Sequence, residues 1–217
     1  MGMSFMEKQM SSILDERMMR IISEYREWCD ATPREIKHLE AYVNGRAEMG
    51  KKVFHIAKLK TIGDEELCEL LLSSMPNLKA GPCRTMHRAI RDNREKFIRA
   101  VEHLNTIDEA RRFVAIEDFL NGKFKIKGLG KAFWGEVIRC KFPSIALVNG
   151  KTERFFDALG IRLGVTTGER CENATFCHSR WSSLWAERTG SPKLSLLEMS
   201  HLEHFALKES GSFHDHP

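Results

Sequence analysis

A chain of 217 residues and 25.0 kDa, 42% hydrophobic and 29% charged, has the composition of one large globular domain or two small lobes, which excludes a disordered or collagen-like chain. Lys and Arg number 34 against 30 Asp and Glu, so the net charge of +4 gives at most a mildly basic surface on average. That average conceals one window: residues 123–154 hold eight Lys and Arg against two acids, a net +6, while residues 1–122 and 155–170 are neutral and residues 171–217 carry −2.

Taken in chain order, the pattern is helical almost throughout, and an all-α fold is expected. From Met6 to Cys29 the residues Met10, Ile13, Leu14, Met18, Ile21, Ile22 and Tyr25 recur at three- and four-residue steps and mark one face of a long helix. Thr32 and Pro33 supply an N-cap and a first-turn proline for a second helix through Ile36, Leu39, Tyr42 and Val43, and Lys51 to Leu59 continues in the same manner. Gly63 and Asp64 precede a short helix, Glu65 to Ser73, with acids at its favourable N-terminal end.

Pro76 and Gly81-Pro82 break the pattern, and Met75 to Lys79 is either a plain turn or a loop able to wedge into stacked bases. Arg84 to Leu104 then reads as one helix, on which Arg84, His87, Arg88, Arg91 and Arg94 share a face, a phosphate track or a solvated surface. Thr106 to Glu109 opens a helix running to about Leu120. Helices over 131–140 and 151–159 follow, joined across Phe142-Pro143 by the apolar crossover 145–148. A Gly/Thr-rich turn, 164–168, leads into an aromatic segment whose Trp181 and Trp185 read as packing residues. The last helix spans Ser195 to about Lys208, and the tail from Glu209 to Pro217 is expected to fray.

No stretch approaches the ~18 consecutive apolar residues that span a bilayer, and the first ten residues lack the pattern of a secretory signal. The expectation is a soluble monomer, cytoplasmic or nucleoid-associated, with no membrane partner. Six cysteines (Cys29, Cys68, Cys83, Cys140, Cys171, Cys177) are scattered and expected to stay reduced. Cys171, Cys177 and His178, with His201 and His204, contain the donors of a metal site but lack a close cysteine pair, and no four-cysteine cluster pattern is present, so neither metal nor cofactor is expected.

Within the basic window, Gly128-Leu129-Gly130 stands between two apolar helices, flanked by Lys123, Lys125, Lys127 and Lys131. Two glycines around an aliphatic residue permit a tight turn and close approach of another group, while the amides opening the next helix form an anion site. The segment is either a simple helix connection or a grip on a phosphate backbone.

Taken as a unit, Ile126 to Gly160 resembles the helix-hairpin-helix superfamily of DNA glycosylases. The likeness rests on the Gly-aliphatic-Gly hairpin and on the run Val148-Asn149-Gly150-Lys151-Thr152-Glu153-Arg154-Phe155-Phe156-Asp157-Ala158-Leu159-Gly160. It implies one glycosylase-like domain over 1–217 with its motif region at 119–160, built of two helical lobes that grip double-stranded DNA. Lys125, Lys127, Gly128, Leu129, Gly130 and Lys131 would hold phosphates, and a damaged or modified base would be flipped out and excised by hydrolysis of its N-glycosidic bond. In that family an Asp opens the later helix and stabilises positive charge on the sugar; here the position holds Asn149. Ala132 stands where bifunctional members carry a nucleophilic Lys, and Lys131 lies one residue, ~100° of helix rotation, earlier. Excision without lyase chemistry is therefore expected. Glu136 and Glu153, the two acids of the window, are candidates for the missing negative charge, and Lys151 either contacts phosphate or points into the cleft. The alternative is a catalytically inactive module that only binds DNA.

Overall fold

The computed structural model describes residues 12–33, 37, 41, 55–73 and 83–214. Its regular structure is all helical, with no strand among the described residues. In chain order the helices are α1 (Ser12–Ala31), α2 (Ile56–Thr61), α3 (Asp64–Ser73), α4 (Cys83–Asp92), α5 (Arg94–Thr106), α6 (Arg112–Leu120), α7 (Lys131–Lys141), α8 (Gly150–Ala158), α9 (Thr167–Thr189), α10 (Leu196–Ala206) and α11 (Gly211–His214), with a 3₁₀ turn at Glu109–Arg111 leading into α6. No helix among the described residues is long and apolar enough to cross a membrane. Most of the expected helix through Ile36 to Val43, the beginnings of those expected from Met6 and Lys51, and the loop Met75 to Lys79 lie outside the described residues.

The chain divides into two compact units, Met1–Ile36 with Ser144–Pro217, and Lys37–Pro143. The segment 119–160 straddles the boundary. In the first unit α1, α9 and α10 pack on one another, α8 packs on α10 and α11 on α1. The apolar stripe of α1 supplies Met18, Ile21, Ile22 and Tyr25 to the core, all fully buried, and Phe155, Phe156, Trp181 and Met199 of the same unit are fully buried as well. The Phe156 ring stacks on Trp181 with centroids 5.9 Å apart. In the second unit α5 packs on α2, α4 and α7, and α6 packs on α7. Its centre is Trp134, fully buried against Phe97, Phe119 and Phe133.

Three expectations are corrected. The helix expected over Arg84 to Leu104 is two helices, α4 and α5, broken at Asn93. The Asn93 amide donates back to the Ala89 carbonyl at 2.9 Å, the kind of local side-chain bond that competes with helix continuation. Just beyond the break Arg94 turns inward to Asp64 and to the carbonyls of Leu59 and Ile62. The aromatic segment is part of the 23-residue helix α9, opened by a Thr166–Glu169 capping box and ended by Gly190 at φ 69°. The tail does not fray up to residue 214. Phe213 is buried with its ring parallel to Phe155 at 5.4 Å, and Arg17 donates to its carbonyl at 2.6 Å. Burying such a ring contributes about 1.5–3 kcal/mol, enough to hold a short terminal turn in place.

Candidate nucleic-acid interface

The Gly-rich turn lies in the Lys37–Pro143 unit. The Leu129 amide donates to the Ile126 carbonyl at 3.0 Å, closing a four-residue turn whose third position, Gly128, has φ +96°. A side chain is disfavoured there on two counts: the backbone is left-handed, and a Cβ would stand 3.0 Å from that of Ala89 on α4. Ile126 and Leu129 are buried and anchor the turn to the core, while Lys125, Lys127 and Lys131 are exposed. Lys123 lies with its ammonium 5.0 Å from the centre of the Phe124 ring.

Gly130 is the N-cap of α7 and, lacking a side chain, bonds none of the helix's first amides. A Cβ at this position would meet nothing within 4 Å. The first turn of α7 therefore opens without a side-chain cap at an uncrowded glycine, beside lysines whose net charge favours an anion.

Further along α7 the side chains serve the fold. Glu136 stands 3.9 Å from Arg139, itself 8% exposed, so it is not a free carboxylate. Lys141 donates to the carbonyls of Leu104 and Asn105, 2.6 Å each, closing the end of α5; desolvation lowers its pKa. Trp134 fills the core. Of the suggested track on α4 and α5, His87 is half-buried, Arg91 pairs with Asp92 at 3.2 Å, Arg94 faces inward, and Arg88 is exposed. With Arg94 turned inward and Arg91 paired, the four described residues of the track do not form one continuous face.

Asn149, Lys151 and Glu153 belong to the other unit. Asn149 is the N-cap of α8: its Oδ1 accepts from the amides of Lys151 (2.8 Å) and Thr152 (3.2 Å). The oxygen is thus committed to the helix. Lys151 is exposed, with Nζ 3.2 Å from Nδ1 of His204 on α10. Glu153 accepts from Arg170 of α9 at 2.8 Å, with both side chains 37% exposed. These two line a cleft of about 410 Å³ together with Asp157, Arg162 and Val165. Glu153 therefore turns from Asn149 towards α9.

One polar cluster escaped the sequence reading. Thr152 donates to Glu203 Oε2 at 2.8 Å, and His178 Nε2 lies 2.9 Å from Glu203 Oε1 without the alignment of a ring N–H hydrogen bond. All three are buried, at 1%, 2% and 1% exposure, and His178 Nδ1 has no partner. A signal was present: Glu203 stands four residues after Met199 and three before Ala206, on the buried stripe of α10, and His178 holds the same relation to Ala174 and Trp181. An acid and an imidazole on apolar stripes require each other or another partner.

Cys171 and Cys177 are buried and in no disulfide, and burial pushes the Cys177 thiol up to about 12. No group of three His, Cys, Asp or Glu among the described residues is placed to hold a metal ion. No protein-family model, curated protein or solved structure matches this chain.

Proposed function

We propose that this chain is a duplex-DNA-binding protein of the helix-hairpin-helix glycosylase type that excises a damaged or modified base by hydrolysis, without a lysine Schiff base. The observation that carries the reading is the turn at Ile126 to Gly130. It delivers the chain to a helix end without a side-chain cap, at a glycine with open space around it and among exposed lysines. Phosphodiester oxygens satisfy such amides, and the lysines add attraction that is independent of sequence. Excision would extrude the base, break the bond from C1′ to the base nitrogen and join C1′ to a water oxygen, the base leaving with a proton. Lys131 begins α7 and is exposed, and position 132 is an alanine, which supports hydrolysis over covalent capture.

Incubation with duplexes carrying a panel of modified bases tests the reading. Alkali-labile abasic sites are expected, with no complex trapped by borohydride; a trapped complex overturns the hydrolytic mechanism. A second reading, binding without excision, is favoured by a specific observation. Asn149 gives its oxygen to two amides, and Glu136 and Glu153 each face an arginine, so none is an unpartnered anion. Abasic sites on no substrate, with duplex binding retained, would select that reading.

A further inference from the structure

α10 reaches the first turn of α8 from two sides. From within the core Glu203 holds the Thr152 hydroxyl, and from the surface the next residue, His204, stands 3.2 Å from the ammonium of Lys151. The buried contact fixes the surface one, because both pairs join the same two helices. The surface contact brings two basic groups together with no acid between them. Lys208, in the turn after α10, is exposed and adds a further positive charge. Of the acids nearby, Glu153 pairs with Arg170, Glu198 with Arg26, and Glu203 lies in the interior, while Glu209, next to Lys208, is exposed.

We propose that Lys151, His204 and Lys208 form a second binding site for a phosphodiester of duplex DNA, and that occupying it draws one proton from solvent onto His204. The proposal rests on the DNA-binding reading above and adds a site in the unit that does not contain the Gly-rich turn. In the neutral imidazole Nδ1 accepts from Lys151. A protonated His204 cannot, since both groups are then donors. A phosphate oxygen resolves the conflict by accepting from both, so the anion and the proton favour each other's binding.

The charges acting on His204 are Lys151 of α8, Lys208, and His201 one turn back on its own helix; no carboxylate is among them. From α1, Arg26 turns to Glu198 and Tyr25 to His201, and from α9, His178 turns to Glu203. Burial first, then those cations, hold the His204 pKa below the ordinary histidine value, so it is neutral at pH 7 when the site is empty. An anion offsets the repulsion from those cations and so raises the value. Duplex affinity should therefore be higher at low pH and fall as pH rises through the range between the empty-site and occupied-site values.

The test is fluorescence-anisotropy titration of the full chain with a labelled duplex from pH 5.5 to 8 at several salt concentrations, with folding of each variant checked by circular dichroism. The native chain should lose several-fold in affinity across that range, and H204Q should flatten the profile. H204K, a fixed charge, should bind at pH 8 at least as well as the native chain and without pH dependence. K151Q should lower the slope of log K against log salt by about 1. Unaltered pH dependence in H204Q, or an unaltered salt slope in K151Q, overturns the proposal; if K131E weakens binding in that case, the DNA-binding reading survives alone. Absence of duplex binding by the native chain overturns both.

Discussion

Two helix beginnings in this protein invite comparison, that of α7 in one unit and that of α8 in the other. Both follow an irregular approach, both lie near lysines, and both fall in the one basic stretch of the chain. They differ in what completes them. At α7 the N-cap is Gly130, which offers the amides nothing; at α8 it is Asn149, whose oxygen takes two of them. A helix end that supplies its own acceptor is finished as folded protein, whereas one that ends in glycine and open space leaves its amides to water or to an arriving anion. The window's charge divides in the same sense: Lys125, Lys127 and Lys131 stand exposed in the α7 unit, while Lys151 of the α8 unit faces His204. Phosphate binding in the first unit should depend on backbone amides, and in the second on side chains.

The most forceful way to break this comparison is at Gly128. G128V places a β-branched residue at φ +96° with its Cβ 3.0 Å from that of Ala89, at a cost of about 1–3 kcal/mol. Chemical denaturation should show that loss, and duplex binding should fall at least tenfold because the turn no longer presents α7. Normal affinity in a variant of reduced stability would detach DNA binding from the turn. K131E should follow, with an affinity loss common to all sequences and a salt slope reduced by about 1; a loss confined to one sequence would point to base contact instead.

At α8 the expectation is reversed. N149A removes the cap, so stability should drop by about 1 kcal/mol, read by thermal or chemical unfolding, with little change in duplex affinity. N149D keeps the cap, because aspartate accepts the same two amides about as well as asparagine. It also supplies the anion that the resembled family has at this position. If the site is otherwise intact, N149D should release more abasic sites than the native chain in a single-turnover assay. An unchanged yield, with binding intact, would support the module that binds without cutting.

Much of this contrast was legible in the residues. The Gly-Leu-Gly turn, the crossover 145–148 and the start of α8 follow from glycine, proline and apolar spacing, and each appears within a residue or two of its expected place. Pairing was not legible. Nothing local announces that Glu153 meets Arg170, that Lys151 meets His204 from 53 positions away, or that Phe213 lies on Phe155, because these contacts depend on how separate helices pack. The break at Asn93 shows the converse. The apolar period of 84–104 continues across it, and the helix stops because one amide side chain and one inward-turned arginine find better partners than the helical ladder offers.

The smallest expected effect tests the remaining candidate acid. Glu153 and Arg170 are both about one-third exposed, so their ion pair is screened by water and is worth about 0–1 kcal/mol. E153Q should leave the unfolding midpoint nearly unchanged. Because the side chain faces α9 and the cleft of about 410 Å³, away from Asn149, E153Q should also leave the abasic-site yield unchanged. A tenfold fall in yield at constant stability would mean that Glu153 leaves Arg170 when substrate is bound, and would make it the anion that Asn149 does not provide. Glu136, held beside Arg139 in the other unit, serves as the matched control: E136Q alters a carboxylate in a closer-packed setting, and a loss of stability there would accompany any loss of activity. An activity loss without a stability loss at one acid, and not at the other, would identify the unit whose carboxylate acts on the sugar.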